Sequence, residues 1–450
     1  MKLGLLVVTL LLPALVLAGA HTGAGQPTGG EVVSYIHAGK LLAVPGEAPR
    51  ENVTVIVKGD RIQAIRDGFM MPSGEPGSSR VIYLKDHFVL PGLMDAHVHL
   101  GRASGAFQRR SRATDRRETN ADRTVNAIIN ARLNLAAGFT TLRDVGSDEE
   151  SVFAVRDAID AGKMLGPTIL ASGPSISVTG GHGDDSTSAD PDERARAGVC
   201  DGPDECRTLV RHLKKIGADL IKYKSTGGFA SNTGLSQHMF AEEMTAIVAT
   251  AHQRGMQVAT HAYDAAAIKD AIRAGVDSIE HGFLLDDEGI RMMQDRGVFL
   301  VPTITIARPP SIAFRFVPEE EALSSVRLRD EYAAFERAYK AGVKIAFGTD
   351  VGVYPHGENA DELVTMVSKG MSEMDAIVAA TVHTAELFGL SDTSGTIEAG
   401  KYADIIAVTS NPLEDIAALK DVDFVLKRGR VAKQGGKVTL PLRYDLEHTY

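Results

Sequence analysis

The chain has 450 residues, of which 44% are hydrophobic and 24% are charged, and its formal net charge is -10. This is an ordinary globular composition, and the length allows one or two large hydrophobic cores. The acidic balance, with no basic stripe, argues against nucleic acid as a partner.

The first 20 residues are predicted to be a secretory signal peptide. Lys2 precedes an apolar run over residues 3–17, and the small residues Ala18-Gly19-Ala20 follow as a cleavage site. The run is short for a membrane span, it has no stop-transfer flank, and no other stretch of the sequence approaches transmembrane length. We therefore expect an exported protein, periplasmic or secreted, that has no membrane attachment after cleavage.

Both ends of the mature chain contain short β-rich segments. Residues 31–88 and 391–440 carry tight-turn signals, and the turn Lys58-Gly59-Asp60-Arg61 resembles the turn Lys427-Arg428-Gly429-Arg430. We predict that the two stretches form one small β-sandwich domain built from both chain ends. This arrangement would bring the two ends of the intervening domain together.

Residues 89–390 alternate apolar strands with amphipathic helices, a pattern typical of βα units. Glycine follows several helices, for example at Gly217 and Gly275, where it is a common helix end. The pattern predicts an α/β fold, a TIM (β/α)8 barrel. A doubly wound open sheet is the alternative, but it would not gather all eight strand ends around one site. The predicted strands are 89–99, 140–143, 168–171, 220–223, 257–261, 277–280, 298–302 and 344–347.

Two predicted loops are longer than a barrel requires. Residues 172–204 follow the third strand and are rich in Gly, Ser and Asp, and residues 303–322 follow the seventh strand. Long loops at the C-terminal face of a barrel often act as lids or substrate walls. For residues 303–322 a disordered insertion is an equal alternative.

The sequence contains two cysteines, Cys200 and Cys206, in one polar segment. In an oxidising compartment this pair predicts a disulfide that closes a small loop, with two free thiols as the alternative. Two ligands are too few for a zinc site.

A strand that ends in two histidines organises the candidate site. Residues two apart in a strand point the same way, so His97 and His99 leave the strand side by side while Val98 faces away. Neutral imidazole is a common ligand of divalent transition metals. A His-x-His pair alone is weak evidence, because many such pairs are accidental.

Further candidate ligands follow other predicted strands. Lys222, His261, His281 and Asp350 each lie at or just after a strand's C-terminal end, where the active sites of TIM barrels are found. Singly, each residue would be read as structural. Together with His97 and His99 they predict one metal site at the C-terminal face.

These residues lie in motifs that resemble those of the amidohydrolase superfamily, and the resemblance covers nearly the whole mature chain. Within the superfamily, the chain is most similar to the imidazolonepropionase-like branch, which holds Xaa-Pro dipeptidases and ochratoxinase-type carboxamide hydrolases. The motifs that carry the resemblance are Pro91-Gly92-Leu93-Met94-Asp95-Ala96-His97-Val98-His99, Ile221-Lys222, Thr260-His261-Ala262, Glu280-His281-Gly282, Gly348-Thr349-Asp350 and the segment from Gly395 to Asp404.

The resemblance implies two divalent metal ions, usually zinc, although the ligand set also suits cobalt or manganese. His97, His99 and Asp350 would hold one ion, and His261 and His281 the other. Lys222 would bridge the ions as a carbamate, because a cationic lysine cannot ligate a metal. Lys224 is a competitor, since it lies two residues away on the same strand face.

The resemblance also implies how the reaction proceeds and which residues contact the substrate. Two close cations lower the pKa of a water molecule between them, and Asp350 would shuttle the proton from this nucleophile to the leaving nitrogen. His182 would hydrogen-bond the developing oxyanion or a substrate carboxylate. Tyr223, His356 and His383 are weaker candidates for substrate contact, with packing or solvation as the alternatives.

The sequence therefore predicts an exported metal-dependent hydrolase that cleaves the amide bond of a dipeptide or an N-acyl amino acid. A small-molecule amide is the expected partner, and a homo-oligomer is possible. The alternatives are hydrolysis of a lactone or phosphotriester by the same metal pair, and a metal-binding protein without catalytic activity. Asp350 argues against the last, because metal binding alone would not require a base.

Overall fold

A computed structural model describes residues 32–73, 78–102, 118–184, 193–194, 197–228, 233–307 and 326–439, without the side chains of 326–331. The predicted signal peptide and parts of both long loops lie outside the described residues. Within the described part of the chain, no helix is long and apolar enough to cross a membrane.

The N-terminal strands form half of a sheet that also receives the C-terminal strands. β1 pairs with β2 in antiparallel and with β4 in parallel orientation, and β2 pairs with β3. Their inward faces are apolar, as in β2, where Val53, Val55 and Val57 are buried. The strands are β1 (Val33–Leu41), β2 (Arg50–Lys58), β3 (Arg61–Asp67) and β4 (Ser79–Pro91).

The strands that follow form the barrel. They are parallel to one another and almost fully buried, as expected for strands covered on both faces. They are β5 (Leu93–Val98), β6 (Phe139–Asp144), β7 (Thr168–Ala171), β8 (Ile221–Lys224), β9 (Val258–Ala262), β10 (Ser278–His281) and β11 (Phe299–Val301).

Helices connect these strands and cover the barrel. Aspartate side chains cap several helix starts, for example Asp264 and Asp286, and left-handed Gly275 and Gly297 follow the same two helices. The helices are α1 (Asn120–Ala136), α2 (Glu149–Asp160), α3 (Gly202–Ile216), α4 (Ala241–Gln253), α5 (Ala265–Ala274), α6 (Asp287–Arg296), α7 (Val326–Ala341), α8 (Ala360–Ser368), α9 (Glu373–Val378) and α10 (Thr384–Leu387).

The predicted first strand, 89–99, is in fact two strands that meet at Gly92. β4 belongs to the outer sheet and β5 to the barrel. A side chain at Gly92 would come within 2.2 Å of Thr140 Oγ1, so the close approach of β6 requires glycine here. The strand that carries the two histidines is thus joined directly to the outer sheet.

The eighth predicted strand, 344–347, is an extended segment rather than a regular strand. Leu300 N donates to the Lys344 carbonyl (2.9 Å), and Ala346 N donates to the Leu300 carbonyl (3.0 Å). On the other side, Ala96 N donates to the Phe347 carbonyl at 2.8 Å. The segment therefore links β11 to β5 and brings Asp350 next to the two histidines.

The C-terminal strands complete the outer sheet, which has eight strands in the described part of the chain, in the order β15-β14-β13-β12-β4-β1-β2-β3. The sheet curls, so that the segment before β12 lies next to β3. Gly400 N in this segment donates a hydrogen bond to the Ile62 carbonyl of β3. Strands from both ends share one buried core. The new strands are β12 (Ile405–Val408), β13 (Phe424–Lys427), β14 (Arg430–Gln434) and β15 (Lys437–Val438).

The fold prediction, a TIM barrel with a β domain from both chain ends, is confirmed. The disulfide prediction is also confirmed, because Cys200 and Cys206 are bonded to each other with their Cα atoms 5.1 Å apart. This bond joins the end of the loop after β7 to the first turn of α3.

Candidate metal centre

His97, His99 and Asp350 converge at the C-terminal end of β5. Asp350 Oδ1 lies 3.7 Å from His97 Nε2 and 3.1 Å from His99 Nε2. All three residues are buried, and one ligand atom from each lies within 4.8 Å of the others. Asp350 Oδ1 is buried without a hydrogen-bond partner in the described structure. Two imidazole nitrogens and an unpaired carboxylate oxygen that face one point suit a divalent metal ion.

The charge states of these groups also suit a metal. Burial raises the pKa of Asp350, but the nearby imidazoles of His97 and His99 outweigh burial and lower that pKa to about 2. Burial lowers the pKa of His97 well below its usual value, and the Lys222 charge adds to this effect. The aspartate is therefore anionic and His97 neutral at neutral pH, as metal ligands must be.

Outer hydrogen bonds fix the orientation of the two histidines. His97 Nδ1 donates to Glu280 Oε2 at 2.7 Å, and His99 Nδ1 donates to the Gly146 carbonyl at 3.0 Å. Each bond leaves Nε2 as the acceptor that faces Asp350. Such partners are typical of metal-binding histidines.

The partners of His97 do not stand out in the sequence as functional residues. Glu280 Oε1 accepts from Arg143 (2.8 Å) and from Ser278 Oγ (2.6 Å), and Arg143 Nε donates to the Ala96 carbonyl. Arg143 and Glu280 are almost fully buried. Their signal in the sequence was a charged residue inside each of two otherwise buried strands.

Asp95 supports the same group from behind. Its Oδ1 accepts from His97 N at 3.0 Å, and its Oδ2 accepts from Thr349 Oγ1 at 2.6 Å and from Asn359 Nδ2 at 2.8 Å. Burial raises the pKa of Asp95 to about 7. This carboxyl group ties β5 to the turn that carries Asp350.

His261, His281 and Lys222 lie at the ends of the neighbouring strands and line the same cavity. The ring centroids of His261 and His281 are 4.6 Å apart, and those of His97 and His281 are 5.0 Å apart. His261 Nε2 donates to the Gly227 carbonyl, and His281 Nδ1 donates to Thr303 Oγ1 at 2.6 Å. The other nitrogen of each ring is then the acceptor.

The two candidate lysines of β8 differ in their surroundings. Lys222 is buried, and burial lowers the pKa of its amine to about 8. Lys222 is also close enough to lower the pKa of His261 and His281, whereas Lys224 has the larger effect of the two lysines on the pKa of His182. Lys224 is half-buried, and its amine lies against Gly183.

His182 lies on the cavity wall, as predicted for a substrate contact. Its ring centroid is 4.6 Å from that of His261. Burial, together with the charge of Lys224, lowers the pKa of His182 to about 3, so the ring is neutral at neutral pH. A neutral imidazole can donate a hydrogen bond to a substrate oxygen.

Three other predicted contacts do not line the cavity. Tyr223 packs in the main core, because alternation along β8 turns it away from the side that Lys222 occupies. His356 lies behind His99, with Nε2 3.2 Å from the His99 carbonyl and Nδ1 2.9 Å from Asn134. His383 Nδ1 donates a hydrogen bond to the Ile345 carbonyl. The substrate contacts predicted for these three residues stay predictions.

The cavity between these groups has a volume of about 120 Å³. Arg102 and Tyr263, which the sequence reading did not single out, also line it. Among the described lining residues, Asp350 has the only carboxylate, and Arg102 and Lys224 add cationic groups. The complete lining consists of His97, His99, Arg102, Val145, His182, Gly183, Lys222, Lys224, His261, Tyr263, His281, Ile306, Asp350 and Val353.

Comparisons with known proteins show what this chain is similar to. Residues 88–432 match the model of the amidohydrolase family. Ochratoxinase from Aspergillus niger is 30% identical over 435 residues, which cover 90% of this chain and 87% of that protein. Imidazolonepropionase from Pseudomonas fluorescens is 24% identical over 397 residues, which cover 82% of this chain and 90% of that protein.

A solved structure of a Xaa-Pro dipeptidase, with methionine bound in its active site, is similar over 89% of this chain and 100% of that chain. It has a TM-score of 0.81 and a sequence identity of 38%.

Proposed function

Because this chain belongs to the amidohydrolase family and is a hydrolase of carbon–nitrogen bonds, we propose that it is an exported, binuclear metallohydrolase of a dipeptide or an N-acyl amino acid. The observation that carries the proposal is the convergence of His97, His99 and Asp350 with His261 and His281 on one cavity. The disulfide and the predicted signal peptide support export.

The proposed centre holds two zinc ions. His97, His99 and Asp350 would hold one ion and His261 and His281 the other, and Lys222, as a carbamate, would supply a further ligand. When bound, the ions polarise the substrate carbonyl and lower the pKa of a water molecule. The buried histidines support this proposal, since their outer hydrogen bonds leave one ring nitrogen of each available to a cation.

The side chains of this chain supply the proton transfers. Asp350 has one carboxylate oxygen without a hydrogen-bond partner, so it can accept the proton of the attacking water. It then delivers this proton to the amide nitrogen, which is a poor leaving group until protonated. His182 donates a hydrogen bond to the oxygen on which negative charge develops. Burial of the cavity walls strengthens both interactions.

The surface of the cavity favours a substrate with a free carboxylate. Arg102 is exposed beside the buried centre, and its charge acts on His99, His182 and Asp350. A guanidinium in this position can bind a carboxylate through two hydrogen bonds. The substrate would then lie with its amide over the metals and its carboxylate toward Arg102.

An Arg102→Ala variant is expected to raise KM for such a substrate by about 10- to 100-fold, the effect of losing a charged hydrogen bond. KM for the methyl ester of the same substrate should change little. Steady-state kinetics on the acid and its ester would measure both. Arg123→Ala, on α1 and outside the cavity lining, is the matched control. An equal rise for acid and ester would contradict a role in carboxylate binding.

The experiment that tests the proposed function is a product-release assay on the mature protein with zinc and bicarbonate. The panel holds Xaa-Pro dipeptides, an aromatic acyl-phenylalanine, a lactone and a phosphotriester. Cleavage of an amide, lost on chelation and restored by zinc, is the expected result. Ester or phosphotriester cleavage without amide cleavage would favour the alternative hydrolases. Binding without product would indicate a protein that lacks catalytic activity.

A further inference from the structure

Helix α8 begins between the two halves of the candidate metal centre. Asn359, just before the helix, donates to Asp95, which supports His97 and the turn to Asp350. Glu362, in the first turn, contacts the segment after β11. One helix turn therefore reaches both groups of candidate ligands.

Glu362 holds two consecutive backbone amides. Its Oε1 accepts from Ile304 N at 2.8 Å, and its Oε2 accepts from Thr305 N at 2.7 Å. The side chain is fully buried. A carboxylate with this burial is stabilised only where donors meet both of its oxygens. Burial raises the pKa of Glu362 to about 7, despite these donors. Nothing in the sequence marks Glu362 as a functional residue.

The residue before these amides is strained. Thr303 has φ of 50°, in the left-handed region that β-branched residues rarely adopt. Such a conformation is unfavourable and persists only where the surroundings enforce it. The Thr303 hydroxyl accepts from His281 Nδ1 at 2.6 Å, and His281 itself has φ of 71°. Thus the strained residue is the one that orients a candidate ligand.

We propose that Glu362 is a positioning residue for the metal ion at His261 and His281. By holding the amides of Ile304 and Thr305, it fixes Thr303 in its left-handed conformation. The Thr303 hydroxyl then holds His281 with Nε2 toward the cavity. This inference depends on the binuclear site of the proposed function, but it does not depend on the substrate.

A zinc titration of the metal-free protein in bicarbonate buffer, with a competing chelator, tests the inference. The wild-type protein is expected to bind two ions. Glu362→Gln places an amide donor against a backbone donor, and Thr303→Val removes the hydroxyl without changing the shape of the side chain. Each variant is expected to weaken one ion by about 10- to 100-fold and to leave the other unchanged. Thr303→Ser keeps the hydroxyl and should bind both ions normally.

The matched control is Asp361→Asn, on the same helix turn. Asp361 pairs with Lys420 at 2.6 Å, and its loss should leave both zinc affinities unchanged. The combined Glu362→Gln and Thr303→Val variant should be no weaker than the worse single variant, because the residues act in series. If Glu362→Gln fails to fold, Glu362→Asp, which keeps the charge but shortens the reach to the two amides, tests the same link.

Two results would overturn the positioning role: unchanged affinities in both variants, or equal weakening of both ions. A wild-type protein that binds one ion would remove this inference and the binuclear centre together. A wild-type protein that binds two ions but cleaves no amide would refute the proposed function alone. The titration would then still decide the role of Glu362.

Discussion

An Asp350→Asn variant is expected to keep its fold and to lose amide hydrolysis by about a thousandfold or more in kcat, the upper part of the range for a lost general base. The asparagine side chain has nearly the same shape but cannot accept the proton of the attacking water. Its oxygen is also a weaker, neutral ligand for the ion at His97 and His99. Saturation kinetics with measured zinc content would separate the two effects.

The zinc content of the Asp350→Asn variant shows whether a loss of activity comes from the missing base or from a missing metal ion. With zinc supplied in excess, we expect the first ion to remain bound and kcat to stay low. The matched control is Asp361→Asn, since this aspartate faces Lys420 and not the cavity. If zinc-loaded Asp350→Asn hydrolysed the amide at a wild-type rate, Asp350 would not be the proton shuttle.

A Lys222→Ala variant is expected to lose zinc affinity by about a hundredfold or more, and turnover with it, because the ligand shared by both ions is absent. The proposed carbamate of Lys222 would form when the neutral amine attacks carbon dioxide and loses a proton. Burial lowers the pKa of Lys222 to about 8, which makes the neutral amine more abundant than on an exposed lysine. Zinc reconstitution of the wild-type protein should therefore become faster as pH rises toward about 8.

Lys224→Met provides the matched control for Lys222. Both lysines extend from β8 and line the cavity, so the comparison isolates the bridging role. Acetate or propionate, added at millimolar concentrations to Lys222→Ala, should restore part of the turnover by supplying a carboxylate in the vacated space. Loss of zinc in Lys224→Met, with Lys222→Ala unaffected, would assign the bridge to the other lysine.

Most of the ligand candidates were readable from the sequence because they lie in or just after a regular strand, whereas Asp350 follows an extended segment. A parallel barrel brings all strand ends to one face, so position along the chain was enough to predict that His97, His261 and His281 converge. The predicted ends of β8 and β9 were within a residue of the observed ends. Alternation along β8 likewise predicted that Lys222 and Lys224 share a face.

The supporting residues were not readable in this way, because their roles depend on contacts between distant segments. Glu280 contacts His97 and Arg143 across the barrel interior. Glu362 accepts a hydrogen bond from Ile304 N, which lies 58 residues earlier in the sequence. Tyr223 was predicted as a substrate contact because it follows Lys222. Alternation along β8 instead turns its side chain into the core. His356 lies close to the site, but behind His99 and away from the cavity.

The passage of β4 into β5 at Gly92 affects the order in which the protein can fold. β4 pairs with β12, a strand that follows nearly the entire barrel in sequence. The backbone of Gly92 itself donates to the Asp404 carbonyl. These contacts cannot form until the ribosome has synthesised the C-terminal region, and closing so long a loop is slow. The pairing of β4 with β1 can form early, so the edge that β4 offers to β12 stays open until the C-terminal strands have been made.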